Sequence, residues 1–289
     1  MNIDKLGFSY YLIAAKFLDQ KPTYEMVLEA TSKNPKVQLV LSTKGIYDLL
    51  IFCLAENNDM VVNILNEIRD SETLKYVKSE WYVTSIHSEY GFLPLRQEFF
   101  DILKDKLTNN SISKDNLSTH NLKFKEYALL YELNINSRRE FKSLDQKYNL
   151  PIGSSKKAYN DMIDKGKENI ILRPTIIIKN ASKKYDAILV AKIIDRAEFI
   201  KSKRNLLKYK TYESGSFIDS FSYICDMEIP DSILYLFPVI NEDSLEKVKT
   251  DFFDMIKGIE LESQVVEKII VGNLGYRSFD DSYLPQYSK

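Results

Sequence analysis

The sequence predicts an α+β protein in which two βαββαβ units flank a short all-helical segment. Strand and helix patterns alternate over residues 8–90, helical periodicity fills 122–173, and strand patterns return from residue 185 onward. A polar, Ser- and Asn-rich stretch over 108–121 separates the first two blocks and is typical of a linker. The chain of 289 residues is long enough for two or three domains of ordinary size.

The first block is predicted to hold six elements in the order strand, helix, strand, strand, helix, strand. β-Branched and aromatic runs indicate the strands, and apolar residues at helical spacing indicate the helices. The elements are predicted at 10–18, 24–31, 37–41, 46–55, 61–68 and 74–86. This order is that of the ferredoxin-like unit, whose helices lie on one face of an antiparallel sheet.

The third predicted strand indicates that both faces of this sheet are covered. Because side chains alternate along a strand, its apolar residues fall into two sets: Leu50, Phe52 and Leu54, and Leu49, Ile51 and Cys53. The two helices can cover only one face, so we expect a second sheet to cover the other. That sheet comes either from another chain or from the C-terminal block. The alternative is that residues 94–107 fold back over the face.

The same element order recurs near the C-terminus and indicates an internal repeat. Elements are predicted at 185–195, 199–207, 216–228, 232–240, 245–256 and 263–271. LIAAKFLD at 12–19 aligns with ILVAKIID at 188–195, and 46–59 aligns with 229–243 apart from one inserted residue. The second half is therefore predicted to be another ferredoxin-like unit.

The central segment is predicted to form three helices, around 124–131, 141–148 and 154–163. In the third helix, Ser155 shares a face with Met162, and Lys157 lies on the opposite face. Two short helices around a tight turn, preceded by a longer helix, form a helix-turn-helix.

Positive charge is concentrated in this segment. Residues 121–174 hold 11 Lys and Arg against 7 Asp and Glu, a net charge of +4, whereas the whole chain has a net charge of -1. Cations near helix N-termini suit phosphate contacts, and Ser hydroxyls can donate to phosphates or base edges. The predicted DNA-binding residues are Arg138, Arg139, Lys142, Ser154, Ser155, Lys156 and Lys157. The alternative is a spacer segment with ordinary surface lysines.

Three stretches of sequence carry a family resemblance. KEYALLYELNINSRREFKSLDQKYNLP at 125–151 looks like a winged helix-turn-helix, 150–166 has the spacing of a recognition helix, and Gly45-Ile46-Tyr47-Asp48 looks like a Gly-x-Tyr-Asp turn. With these motifs the chain resembles the Lrp/AsnC, or feast/famine, family of prokaryotic transcription regulators. Members of that family join a DNA-binding domain to an effector-binding and dimerisation domain.

The resemblance implies a DNA-binding transcription regulator. Its expected partners are double-stranded DNA, an amino-acid effector near Gly45, Tyr47 and Asp48, and further copies of the chain in a homodimer or larger assembly. Family members usually run from helix-turn-helix to one sensor domain, whereas this chain runs sensor, helix-turn-helix, sensor. We expect sensor and dimerisation domains at 1–107 and 175–289, a linker at 108–121 and a DNA-binding domain at 122–174.

Two other functions remain open. One is a sensor or assembly module that does not bind DNA. The other is an enzyme, because sirohaem decarboxylases use the same two-domain architecture. Such chemistry calls for His or Arg in the sensor cavity, and the histidines are His87 at a strand end and His120 in the linker. The sequence has no HExxH, GxSxG, P-loop or paired CxxC motif, so we expect no enzyme activity, no catalytic residue, no metal and no cofactor.

Composition excludes several classes of protein. The 19 Tyr and 15 Phe supply material for packed cores, which argues against a disordered chain. Cys53 and Cys225 lie far apart in apolar runs, so we expect no disulfide framework and a cytoplasmic location. The chain has no uncharged stretch of 18 residues and no signal-peptide pattern at its start, so we expect no membrane contact.

Overall fold

The computed structural model describes residues 1–88, 95–109, 122–164, 167, 170–171, 175–176, 185–208, 223–227, 232–239, 250, 254, 256–272 and 277–278. The predicted linker falls outside these residues except for its first two positions, which end a helix. The predicted helix at 245–256 falls largely outside them.

A short 3-10 turn at Asp4–Leu6 precedes the regular elements. The strands are β1 (Ser9–Phe17), β2 (Val37–Lys44), β3 (Leu49–Ala55), β4 (Ser79–Ser88), β5 (Thr175–Ile176), β6 (Tyr185–Ile193), β7 (Tyr223–Met227), β8 (Ser232–Val239), β9 (Ile259–Val271) and β10 (Arg277–Ser278). The helices are α1 (Tyr24–Ser32), α2 (Asn58–Arg69), α3 (Phe99–Asn109), α4 (Phe124–Ile135), α5 (Phe141–Lys147), α6 (Ser154–Ile163) and α7 (Arg196–Lys208).

Eight strands close into an antiparallel barrel in the order β1-β3-β2-β9-β6-β8-β7-β4. Within it, β4-β1-β3-β2 and β9-β6-β8-β7 repeat one strand order, which is the order of a ferredoxin-like sheet. The prediction of a mixed α+β fold with an antiparallel sheet is therefore confirmed. The domain boundaries at 107, 121 and 174 stay a prediction.

The two half-barrels join through the edges of their sheets. β2 pairs with β9 from Val40↔Val271 to Lys44↔Val265, and β4 pairs with β7 at Ile86↔Met227 to Ser88↔Cys225. The sequence left open whether the two sheets pair within one chain or between chains. In this structure they pair within one chain.

The predicted two-faced character of β3 is confirmed. Ile51 and Cys53 pack with α1 and α2 in one apolar cluster, whereas Phe52 lies in a second cluster on the opposite face. That second cluster contains Val266 of β9 as well as Phe99 of α3. The C-terminal sheet and the segment at 94–107 were alternative covers for this face in the sequence analysis, and both contribute.

The helical segment docks on the rest of the molecule through α3 and the N-terminus. Phe100 of α3 contacts Tyr127 and Tyr131 of α4 edge-on, with ring centroids 6.4 and 5.7 Å apart. The N–H of Asn2 donates to the carbonyl of Ile170 at 2.6 Å, and β10 pairs with β5, so the start of the chain and β10 both lie against the region after α6. These contacts fix the helical segment to the barrel and leave one side of α5 and α6 to solvent.

Candidate nucleic-acid interface

The three helices of the central segment pack around a small apolar core. Leu130 of α4, Leu144 of α5, and Ala158 and Met162 of α6 are all buried. Ser155, Ala158 and Met162 recur at spacings of three and four residues, which places one face of α6 against this core. The opposite face of α6 is therefore the part that can meet a ligand.

Asp145 holds the turn between α5 and α6. Its side chain is 3% exposed, and its carboxylate accepts hydrogen bonds from the N–H of Gly153 at 2.7 Å and of Ser155 at 2.9 Å. Burial opposes ionisation, but the bonds from Ser155 and Gly153 outweigh it and hold the pKa of Asp145 below its usual value. The carboxylate thus satisfies N–H groups that have no partner within the first turn of α6.

Glu132 ties α4 to both ends of α5. Its side chain is fully buried, and its carboxylate accepts from Lys147 Nζ at 2.5 Å and the Tyr148 hydroxyl at 2.7 Å, while Arg139 Nε lies 3.4 Å away. Burial opposes ionisation, yet these neighbours lower the pKa of Glu132. Burial and the Glu132 carboxylate together raise the pKa of Tyr148. Arg139 and Lys147 are therefore already paired with a carboxylate of the protein itself.

Several exposed cations lie just before α5, within α5 and in the first turn of α6. Arg138, Lys142, Lys156 and Lys157 are exposed, and the amide of Asn160 lies one turn after Lys156 on α6. Within the described part of the chain, Arg138, Lys142 and Lys156 form no ion pair. Asp161 on α6 pairs with Lys167 at 2.7 Å, and Glu140 is an exposed carboxylate between Arg139 and Lys142 in the sequence. The arrangement presents unneutralised cations on a rigid helix pair, which suits contact with a polyanion.

Each predicted DNA-binding residue now has a position. Arg138, Arg139, Lys142, Lys156 and Lys157 are exposed, and Ser154 is half-buried. Ser155 is 1% exposed and its backbone N–H donates to Asp145, so its side chain is buried here, and its contact with DNA stays a prediction. The spacing that pairs Ser155 with Met162 already indicated this burial. Sequence reasoning did not identify Asp145, which carries no signal beyond lying shortly before the turn.

The predicted effector turn is largely engaged in internal contacts. Asp48 is 5% exposed, and its carboxylate binds Lys21 at 2.9 Å, Lys16 at 3.3 Å and the N–H of Phe17 at 3.0 Å. Burial opposes ionisation, but these donors lower the pKa of Asp48. The carboxylate of Asp48 is therefore engaged within the protein in this structure, and its role as an effector ligand stays a prediction.

The other two predicted effector residues, Gly45 and Tyr47, lie on the surface part of that turn. Gly45 is exposed, and its carbonyl accepts from Lys16 at 3.2 Å. Tyr47 is half-buried beside Tyr82, with ring centroids 5.7 Å apart. A cleft of about 670 Å³ lies elsewhere, between α1 and α2, and none of the predicted site residues lines it.

The remaining expectations concern metals, catalysis and membranes. Among the residues that the structure describes, no group of three or more His, Cys, Asp or Glu side chains could hold a metal ion. His120 and the side chain of His87 lie outside the described part of the chain. Over the same described part, no helix combines the length and apolarity needed to cross a membrane.

Comparison with known proteins shows a shared fold. No family model and no curated protein sequence matches the chain. The structure of the siroheme decarboxylase NirDL is similar over 98% of this chain and 79% of NirDL, with 12% identity and a TM-score of 0.51. Its complex with an iron-uroporphyrin III analogue gives 11% identity and a TM-score of 0.52 over the same shares.

Regulators of the feast/famine type match a smaller part of the chain. The match to LrpC of B. subtilis spans 52% of this chain and 96% of LrpC, with 12% identity and a TM-score of 0.41. A second match is to the feast or famine regulatory protein from M. tuberculosis complexed with L-methionine. It spans 50% of this chain and 90% of that protein, with 12% identity and a TM-score of 0.41. At such identities the comparisons establish the mixed α+β fold that the chain shares with NirDL. They do not establish its function, which has to be argued from the residues of the site.

Proposed function

We propose that the chain is a DNA-binding transcription regulator whose helix α6 lies in the major groove of a duplex. The observation that carries this proposal is the exposure of Lys156 and Lys157 in the first turn of α6, together with that of Arg138 and Lys142 around the start of α5. Such exposed cations neutralise phosphates, and the recognition helix of a helix-turn-helix places its first residues against base edges. A regulator of this kind acts in the cytoplasm, where its DNA is.

The proposal does not include an amino-acid effector at the Gly45–Asp48 turn. Lys16 and Lys21 already occupy the carboxylate of Asp48, so the turn offers no free anion to an amino group. A thermal-shift series with amino acids tests whether an effector binds anywhere on the protein.

Fluorescence anisotropy with a labelled duplex at low salt tests the proposal. We expect wild-type protein to bind, and the double substitution Lys156→Ala with Lys157→Ala to weaken binding on every duplex sequence, because it removes phosphate contacts. Lys33 and Lys44 are exposed lysines outside the helical segment, so Lys33→Ala with Lys44→Ala makes the matched control. Equal affinity of the two double variants, or absence of binding by wild type, would contradict the proposal. The second result would favour a sensor or assembly module.

A second candidate function is a tetrapyrrole-binding enzyme. The observation that favours it is the likeness to the siroheme decarboxylase NirDL over 98% of this chain. Titration with an iron-uroporphyrin III analogue, followed by the tetrapyrrole absorbance, separates the two candidates. Under our proposal the spectrum of the added compound does not change, whereas a saturable shift with one-to-one stoichiometry would favour the enzyme.

A further inference from the structure

The turn before α6 carries an isoleucine that is almost wholly in water. Ile152 is 92% exposed, the largest exposed fraction among the large apolar side chains described. An isoleucine in that position forgoes the free energy that burial of its side chain would supply. Single exposed apolar residues are common on protein surfaces, so the exposure gains meaning only from what surrounds it.

The backbone around Ile152 is fixed. Asp145 holds the N–H of Gly153 at 2.7 Å, and the N–H of Ser154 donates to the carbonyl of Pro151 at 3.0 Å. Gly153 follows with φ of +86°, in the left-handed region that favours glycine. Since both neighbours of Ile152 are held in place, its side chain stays directed outward and cannot fold back onto the core.

Ile152 also lies close in sequence to the exposed lysines of α6. It stands two residues before the helix, whose residues Lys156, Lys157 and Asn160 are exposed as well. Ile152 is therefore at the N-terminal end of α6, which is the end of a recognition helix that meets base edges. A ligand for this end of α6 needs phosphates for the lysines and an apolar group for the isoleucine.

Duplex DNA offers one such apolar group in the major groove, the C5-methyl of thymine. We infer that Ile152 contacts a thymine methyl and makes the chain prefer an A·T pair at that position. This inference rests on the proposed function and adds a base preference to it.

Paired duplexes that differ only in this methyl test the inference. One is an alternating adenine–thymine duplex, which presents methyls in every register, and its partner has uracil in place of thymine. We expect wild-type protein to bind the uracil duplex about fourfold more weakly, the value for one buried methyl. An alternating guanine–cytosine duplex should gain affinity when its cytosines carry a 5-methyl group.

Two variants assign the effect to the side chain. Ile152→Ala should bind the thymine and uracil duplexes equally, and because the side chain is exposed, its thermal unfolding should match that of wild type. Lys156→Ala should weaken binding to both duplexes by the same factor and leave the ratio of the two affinities unchanged. Equal wild-type affinity for the two duplexes, or an unchanged ratio in Ile152→Ala, would overturn the inference and leave DNA binding intact. Failure of wild type to bind either duplex would overturn the proposed function itself.

Discussion

At the scale of single residues, the buried carboxylate of Glu132 makes the helical segment sensitive to acid. Its pKa is lowered in the folded protein by Lys147, Tyr148 and Arg139, against the opposing effect of burial. A carboxylate with a lowered folded pKa stabilises the fold above the unfolded pKa, about 4.3 for Glu, and that contribution is lost as the pH falls through the folded value. Stability should therefore fall below about pH 4.

Glu132→Gln tests this pH dependence. The amide keeps the size of the side chain but removes the charge, and we expect a loss of about 1–2 kcal/mol at pH 7, since Lys147 and Arg139 reach solvent. Thermal melts from pH 7 to pH 3 should show a smaller acid-induced drop in Tm for the variant than for wild type. Parallel pH profiles would mean that Glu132 does not titrate with unfolding.

Sequence reasoning succeeded at this scale where one periodicity decided the answer. The two faces of β3 followed from alternation, and the exposure of Lys157 followed from helical spacing. For Ser155, helical spacing indicated burial on the apolar face of α6, which the structure shows, and its contact with DNA stays a prediction. Sequence reasoning missed Asp145, whose role depends on a turn geometry that the sequence does not encode at any fixed spacing.

At the scale of elements, the junction of β2 and β9 depends on a glycine. Gly272 has φ of +80°, and a Cβ there would lie 2.1 Å from the carbonyl oxygen of Gln38. Gly153 is also left-handed, with φ of +86°, but a Cβ there would meet nothing within 4 Å. Alanine substitution at Gly153 therefore measures backbone strain alone, whereas substitution at Gly272 measures backbone strain together with a steric clash.

We expect Gly272→Ala to cost about 3 kcal/mol, from left-handed strain and a clash with backbone. Gly153→Ala should cost only the strain, about 1 kcal/mol. Urea denaturation of both variants measures these losses. A Gly272→Ala loss no larger than that of Gly153→Ala would contradict the close approach of β9 to β2.

Sequence patterns gave the order of these elements better than their ends. A strand was predicted at 74–86, but β4 begins at Ser79, because Leu74 packs as a buried turn residue rather than as a strand. Apolar character alone does not distinguish these two environments. For a related reason the sequence did not decide which element covers the second face of the sheet, since an apolar face does not specify its partner.

At the scale of the whole molecule, one chain supplies both halves of the barrel. β2 pairs with β9, and β4 pairs with β7, so the sheet edges that would join two protomers are used within the chain. The sequence repeat indicated two similar halves, but only the tertiary structure shows that they meet. A homodimer, expected from the family resemblance, is not needed to close this barrel.

We therefore expect the isolated protein to be monomeric. Light scattering at micromolar concentration should give a mass of 33.6 kDa. A species of twice that mass would show that a further surface joins two chains, and it would place two helix-turn-helix units on one DNA.

The salt dependence of DNA binding tests the central claim most directly. If the four cations Arg138, Lys142, Lys156 and Lys157 each neutralise a phosphate, log K should fall against log salt with a slope of about -3.6, at roughly -0.9 per contact. The double variant Lys156→Ala with Lys157→Ala should lower the steepness of this slope by about two. A slope that is flat in wild type, or unchanged in the double variant, would contradict the assignment of α6 as the DNA-binding helix.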